Sequence, residues 1–224
     1  MVFFFIYKHM SIINSFNKIK QEIKDNDPTL QTEIIAVSKT FSLEHIKPLI
    51  DYGHLHYGEN KVQEAEKKWI ALKKNISNLK LHMIGQLQSN KAKKAVEIFD
   101  FIHSLDSEKL AKELCKRQKE KEKNLKYFIQ INLGSEEQKG GIQINELKNF
   151  YNFCNNELKL SVIGLMAIPP NDGNPQKYFQ KISDLKNEIG LKKLSIGMSN
   201  DYKLAVKYGA SHVRIGSAIF GKRN

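Results

Sequence analysis

The chain has 224 residues, 41% hydrophobic and 27% charged, an ordinary composition for a soluble globular protein and enough to bury a sizeable core in one large or two small domains. The formal charge of +12 comes from 36 Lys and Arg against 24 Asp and Glu. Most of the excess is Lys spread along predicted helices, with no aromatic-plus-basic stripe, so no nucleic-acid partner is expected.

Residues 1–10 read as an over-extended start or a disordered tag. Their apolar run is too short to span a bilayer and lacks the flanks of a secretory signal, so no membrane partner is expected. Residues 11–25 read as an amphipathic helix with Ile12, Phe16, Ile19 and Ile23 on one face. Strand signals follow at 34–38, 54–57, 80–84, 100–103, 125–132, 160–166, 193–197 and 211–215. Helical patterns alternate with them at 42–51, 60–73, 89–98, 107–122, 143–156, 174–189 and 201–208, with a short helical tail from 217. Ser42 and Ser107 stand at helix starts, and Gly53, Gly190 and Gly209 at helix ends. Several strands are continuous apolar runs, as in a parallel sheet covered on both faces. No linker divides residues 11–224, so one domain is expected. Eight strand–helix units predict an α/β fold, a single (β/α)8 TIM-type barrel with an extra N-terminal helix. A doubly wound open sheet is the alternative. Cys115 and Cys154 match no metal spacing and read as reduced thiols of a cytoplasmic protein. No metal site is expected.

In either architecture the ligand lies at the carboxyl ends of the strands. Lys39 ends the first strand. Desolvation lowers the pKa of an ammonium and frees the amine to attack a carbonyl, which makes Lys39 a Schiff-base candidate. Asn60 follows the second strand, where it also suits a helix cap. His82 ends the third and reads as a satisfied core histidine. Ser199 follows the seventh strand, and Arg214, Gly216 and Ser217 follow the eighth. Small residues, hydroxyls and backbone N–H groups after strands seven and eight suit a phosphate. A phosphate facing a lysine amine fits a phosphorylated aldehyde such as pyridoxal 5′-phosphate (PLP).

Six segments, in order, closely resemble the pyridoxal phosphate homeostasis protein family. They are 36-AVSKT-40, 58-GEN-60 with 62-VQE-64, 82-HMIGQLQSNK-91, 164-GLMAIP-169, 197-GMS-199 with Asp201, and 214-RIGSAIFG-221. Gln86 stands where the family usually has proline, Tyr202 where methionine usually follows the aspartate, and Ser217 replaces a common threonine while keeping its hydroxyl. The family is related to the N-terminal barrel domain of alanine racemase, the fold-type III architecture. The resemblance implies that Lys39 carries PLP as a Schiff base and that Ser199, Gly216 and Ser217 contact its phosphate. It places Arg214 near the pyridine nitrogen or the phosphate, and Asn60 at the border of the ring or its 3-hydroxyl. It implies a PLP carrier or buffer, monomeric, handing cofactor to apo-enzymes. The alternative is an amino-acid racemase using the same lysine. Racemisation needs a base on each face of the substrate, and fold-type III racemases take the second from a separate β-domain for which no sequence remains after the eighth unit. The carrier is therefore the expected function and catalysis is not.

Overall fold

The structure is a computed structural model and describes residues 2–29, 31–134 and 140–222, with the side chains of residues 2–9 also left undescribed. Eight parallel strands close into one barrel in sequence order. They are β1 (Glu33–Val37), β2 (His56–Glu59), β3 (Lys80–Met83), β4 (Phe101–Leu105), β5 (Lys126–Gln130), β6 (Ser161–Met166), β7 (Lys193–Met198) and β8 (His212–Ile215). Pairing of β1 with β8, from Glu33 opposite His212 to Ala36 opposite Ile215, closes the ring and sets aside the open sheet.

The surrounding helices are α1 (Val2–Asn26), α2 (Leu43–Asp51), α3 (Val62–Asn75), α4 (Ala92–Ile98), α5 (Glu108–Glu120), α6 (Leu147–Asn152), α7 (Pro175–Glu188), α8 (Tyr202–Lys207) and α9 (Ser217–Phe220). α1 buries Ile12, Phe16, Ile19 and Ile23, the face its spacing predicts, and packs on α2, α8 and α9. It begins at Val2, upstream of the expected start at residue 11. The Tyr202 hydroxyl donates to Glu22 of this helix, and Lys203 Nζ lies 2.9 Å from the same carboxylate. Ser42 and Ser107 accept from His45 N–H and Leu110 N–H, at 3.3 and 3.4 Å, capping α2 and α5 as expected. Gly53, Gly190 and Gly209 follow α2, α7 and α8 with φ of 92, 72 and 82°.

One predicted helix, 143–156, is three pieces: a 3-10 turn at Ile144–Glu146, α6, and a π turn at Phe153–Glu157. Leu158 N–H reaches back to Phe153 O, and the Asn155 amide donates to its neighbour Asn156 rather than supporting the helix. Asparagine competes locally for such bonds. Cys115 and Cys154 are buried free thiols, and burial pushes Cys154 up to about 12. Among the described residues no cluster suits a metal ion, and no helix is long and apolar enough to cross a membrane.

Candidate cofactor cleft

A cleft of about 640 Å³ opens at the carboxyl ends of the strands, within the usual size of a small-molecule site. Lys39, Ser199, Arg214, Gly216 and Ser217 all line it. They meet because β1, β7 and β8 are consecutive around the closed barrel. Asn60 does not line it. This residue follows β2 and packs beneath Gly85, where a Cβ would come within 2.4 Å of the Asn60 carbonyl oxygen. Its buried Oδ1 has no partner.

The turn that carries Lys39 is held from below. Ser38 is fully buried; its N–H donates to Gly58 O at 3.0 Å and its hydroxyl to Glu59 Oε1 at 2.7 Å. Thr40 takes φ 68°, a left-handed conformation uncommon for a β-branched residue that costs about 1–3 kcal/mol. Its N–H donates to Glu64 Oε1 at 2.5 Å, and Phe41 N–H closes the turn on Ser38 O at 3.2 Å. Lys68 ties these groups together, donating to Ser38 O, Glu59 Oε1 and Glu64 Oε1 at 2.8, 2.9 and 3.1 Å. Trp69 Nε1 adds a 2.9 Å bond to Glu59. Residues of β2 and α3 therefore set the backbone on which Lys39 stands.

The sequence reading missed this support, although Glu64 and Lys68 lie four apart on one helix face, which was a signal for their pairing. Lys68→Met strands the Glu59 carboxylate, which is 0% exposed. Such a change is expected to cost about 3–5 kcal/mol, and the double change Lys68→Met with Glu59→Gln less than the sum of its parts. Urea unfolding of the three variants checks this. Parental stability in Lys68→Met would show that the pair does not hold the turn.

Across the cleft, Arg214 is 5% exposed. NH1 donates to Ser195 O at 2.6 Å and to Ser195 Oγ at 2.7 Å, and NH2 to Ala167 O at 3.0 Å. No carboxylate is among these partners. Burial draws the guanidinium down to about 10, with Asp201 opposing the shift, so it stays cationic at neutral pH.

The loop after β7 is folded tightly. Met198 N–H donates to Asp201 Oδ1 at 2.6 Å, and Ser199 Oγ accepts from Ala218 N–H at 3.3 Å, joining this loop to the start of α9. Gly197 has φ 87°, and a Cβ there would come within 2.6 Å of Ala205 Cβ, so glycine lets α8 pack close beneath the loop. Ile84, Ile168 and Met198 give the cleft apolar walls. They were not singled out as site residues, although each lies at or just after the end of a strand signal.

The family model for the alanine racemase N-terminal domain matches residues 12–224. A pyridoxal phosphate homeostasis protein of Aquifex aeolicus is 39% identical over 200 residues, covering 85% of this chain and 87% of that protein. One from Haemophilus influenzae is 36% identical over 230 residues, covering 96% of this chain and 97% of that protein. The chain belongs to the pyridoxal phosphate homeostasis protein family. Among solved structures of this fold, PipY of Synechococcus elongatus with PLP bound has a TM-score of 0.82 at 32% identity, over 94% of this chain and 100% of that one. Alanine racemase of Clostridium difficile has a TM-score of 0.71 at 15% identity, over 93% of this chain and 56% of that one. That second likeness is one of fold alone. The recognised family and barrel thus agree with what the motifs implied.

Proposed function

We propose that this member of the pyridoxal phosphate homeostasis family holds PLP in the cleft by aldehyde and phosphate together, as a carrier or buffer without robust catalysis of its own. The observation that carries this reading is the convergence of Lys39 with Ser199, Arg214, Gly216 and Ser217 on one cleft. When bound, PLP supplies an aldehyde that condenses reversibly with a primary amine and a ring that withdraws electrons.

The residues present fit that group. Lys39 provides the amine on a stiff turn. Ser199 Oγ accepts from Ala218 N–H, which leaves its own hydrogen to donate to a phosphate oxygen, and Ser217 adds a second hydroxyl. Gly216 keeps side-chain bulk away from the anion. Ile84, Ile168 and Met198 offer apolar faces to the ring. Arg214 is a donor-only group. At the pyridine nitrogen it would keep that atom unprotonated and so weaken electron withdrawal, which suits holding the cofactor over turning it over. At the phosphate it would act as a counter-charge. Asn60 is the outlying member of the set, and its unpartnered buried Oδ1 supports a place for it near the ring.

Apo-enzymes that require PLP are the proposed recipients, the monomer the proposed working form and the cytoplasm the proposed location. The family assignment supports all three. The decisive experiment adds PLP to the purified chain and records the visible spectrum before and after borohydride, followed by peptide mapping. A visible band that borohydride removes, with the added mass on the peptide containing Lys39, is the expected result. Absence of the band, or its mass on another peptide, would overturn the assignment.

A further inference from the structure

Barrel interiors are filled mainly by branched aliphatic side chains. This one carries a file of polar groups from rim to cleft. His56 Nε2 lies 2.8 Å from Glu33 Oε2, at the rim where β1 and β2 begin. His56 Nδ1 lies 3.0 Å from His82 Nε2, and His82 Nδ1 lies 2.9 Å from His103 Nε2. His103 Nδ1 lies 2.8 Å from Ser195 Oγ. Ser195 Oγ accepts from Arg214 NH1 at 2.7 Å. β4 and β7 are not neighbours in the barrel, so the His103–Ser195 contact crosses the lumen. Phe101 stacks on His82 and Phe128 on His103, each with ring centres 4.3 Å apart. These faces cover His82 and His103, which are fully buried, while the Glu33 end of the file meets solvent.

The two ends have fixed polarity. A guanidinium only donates, and an ionised carboxylate only accepts. Between them a neutral imidazole offers one donor and one acceptor, and the serine hydroxyl one donor and two acceptor lone pairs. With neutral rings one arrangement satisfies all five contacts: every hydrogen points from Arg214 toward Glu33, and each imidazole carries its hydrogen on Nε2. Burial agrees, since it pushes His82 and His103 well below the usual histidine range. The His56 hydrogen bond holds the Glu33 carboxyl below its ordinary value. The flanking imidazoles bond elsewhere, His212 Nδ1 with Ser211 Oγ at 2.9 Å and His54 Nε2 with His56 O at 2.9 Å.

We propose that this file is a positioning device for Arg214. Glu33 orders the tautomers of His56, His82 and His103; His103 draws the Ser195 hydrogen to itself; and the Ser195 lone pair so exposed holds the guanidinium in the cleft. None of the three histidines lines the cleft, so all of them act through the arginine. The inference rests on the reading of the cleft as the PLP site, and it adds to that reading a control reaching the opposite face of the barrel.

The test has two arms. Nitrogen-15 histidine NMR on the protein without cofactor is expected to show Nε2–H tautomers for His56, His82 and His103. Glu33→Gln replaces the acceptor-only end with a group that donates or accepts. It is expected to mix the His56 tautomers, shift the visible band of bound PLP and weaken PLP retention about three- to tenfold, the scale of one hydrogen bond. Its melting temperature, measured alongside, separates this from unfolding. An Nδ1–H tautomer at any of the three histidines of the parent protein would overturn the order of the file. Unchanged tautomers, or an unchanged band and affinity, in Glu33→Gln would overturn its role while leaving the cleft assignment intact. If the parent protein takes up no PLP, the reading of the cleft falls, and with it the purpose assigned to the file.

Discussion

Lys39→Ala is expected to reduce borohydride-fixed PLP to background while leaving the fold within about 1 kcal/mol of the parent, as for most substitutions outside the core. The lysine is half-buried at the cleft, and the turn beneath it is held by Ser38, Glu64 and Lys68 through backbone atoms that alanine keeps. The hydroxyls of Ser199 and Ser217 and the Arg214 guanidinium remain, so the proposed phosphate anchor is kept. PLP should then bind loosely, without a band that borohydride removes, and should wash off on gel filtration. The measurement is absorbance and peptide mass before and after reduction, in both proteins under the same load of PLP. Equal fixation in Lys39→Ala would move the attachment to another lysine. Complete loss of phosphate-dependent binding would mean that the amine, rather than the anchors after β7 and β8, supplies most of the affinity.

Acidification should weaken the fold well above the range where carboxylates take up protons. His82 and His103 are 0% exposed and His212 is 5% exposed. Desolvation, followed by neighbouring charges, pushes the first two well below their usual value and His212 down to about 3. In the unfolded chain each ring takes up its proton near 6.5, whereas in the fold it stays neutral. Above that pH the rings contribute no pH dependence. Below it the unfolded state binds more protons, so stability falls as the pH drops from about 6.5 toward the folded values. Each ring gives about 1.4 kcal/mol per pH unit and the three together roughly 4, a large share of a typical total of about 5–15 kcal/mol. Urea midpoints recorded from pH 8 to pH 5 are expected to be level above 7 and to fall steeply below 6. A level profile down to pH 5 would mean that the rings are already charged or open to water in the fold.

The strands and most of the helices were legible because each carries its own signal: short apolar runs, amphipathic spacing, a serine before a helix or a glycine after it. Closure of the sheet was less legible. Pairing of Ile35 with Arg214 joins distant segments, and nothing local distinguishes it from an open edge. The cleft could be read in large part because Lys39, Ser199, Arg214, Gly216 and Ser217 all lie at or just after strand ends, which a barrel brings to one face. Asn60 follows a strand end too, but the packing of Gly85 against its backbone keeps it off the cleft lining. His82 was correctly read as a satisfied core histidine. The line it belongs to was invisible, since His56, His82 and His103 lie 26 and 21 residues apart and Ser195 a further 92. Inward-facing residues of different strands meet only once the barrel is closed. Support of Lys39 by Glu59 and Lys68 appears only when α3 brings Lys68 to the turn after β1, although the spacing of Glu64 and Lys68 gave a local sign of pairing.

The pairing of β1 with β8 has a consequence for biosynthesis. The proposed amine comes from the loop after β1, and the proposed phosphate anchors come from around the ends of β7 and β8. A ribosome-bound chain that has exposed only six strands has Lys39 but none of its partners at Ser199, Arg214, Gly216 or Ser217. On the proposed reading, both ends of the cofactor can be held only after all eight strands have emerged and β1 has met β8, so tight uptake would report that the barrel has closed.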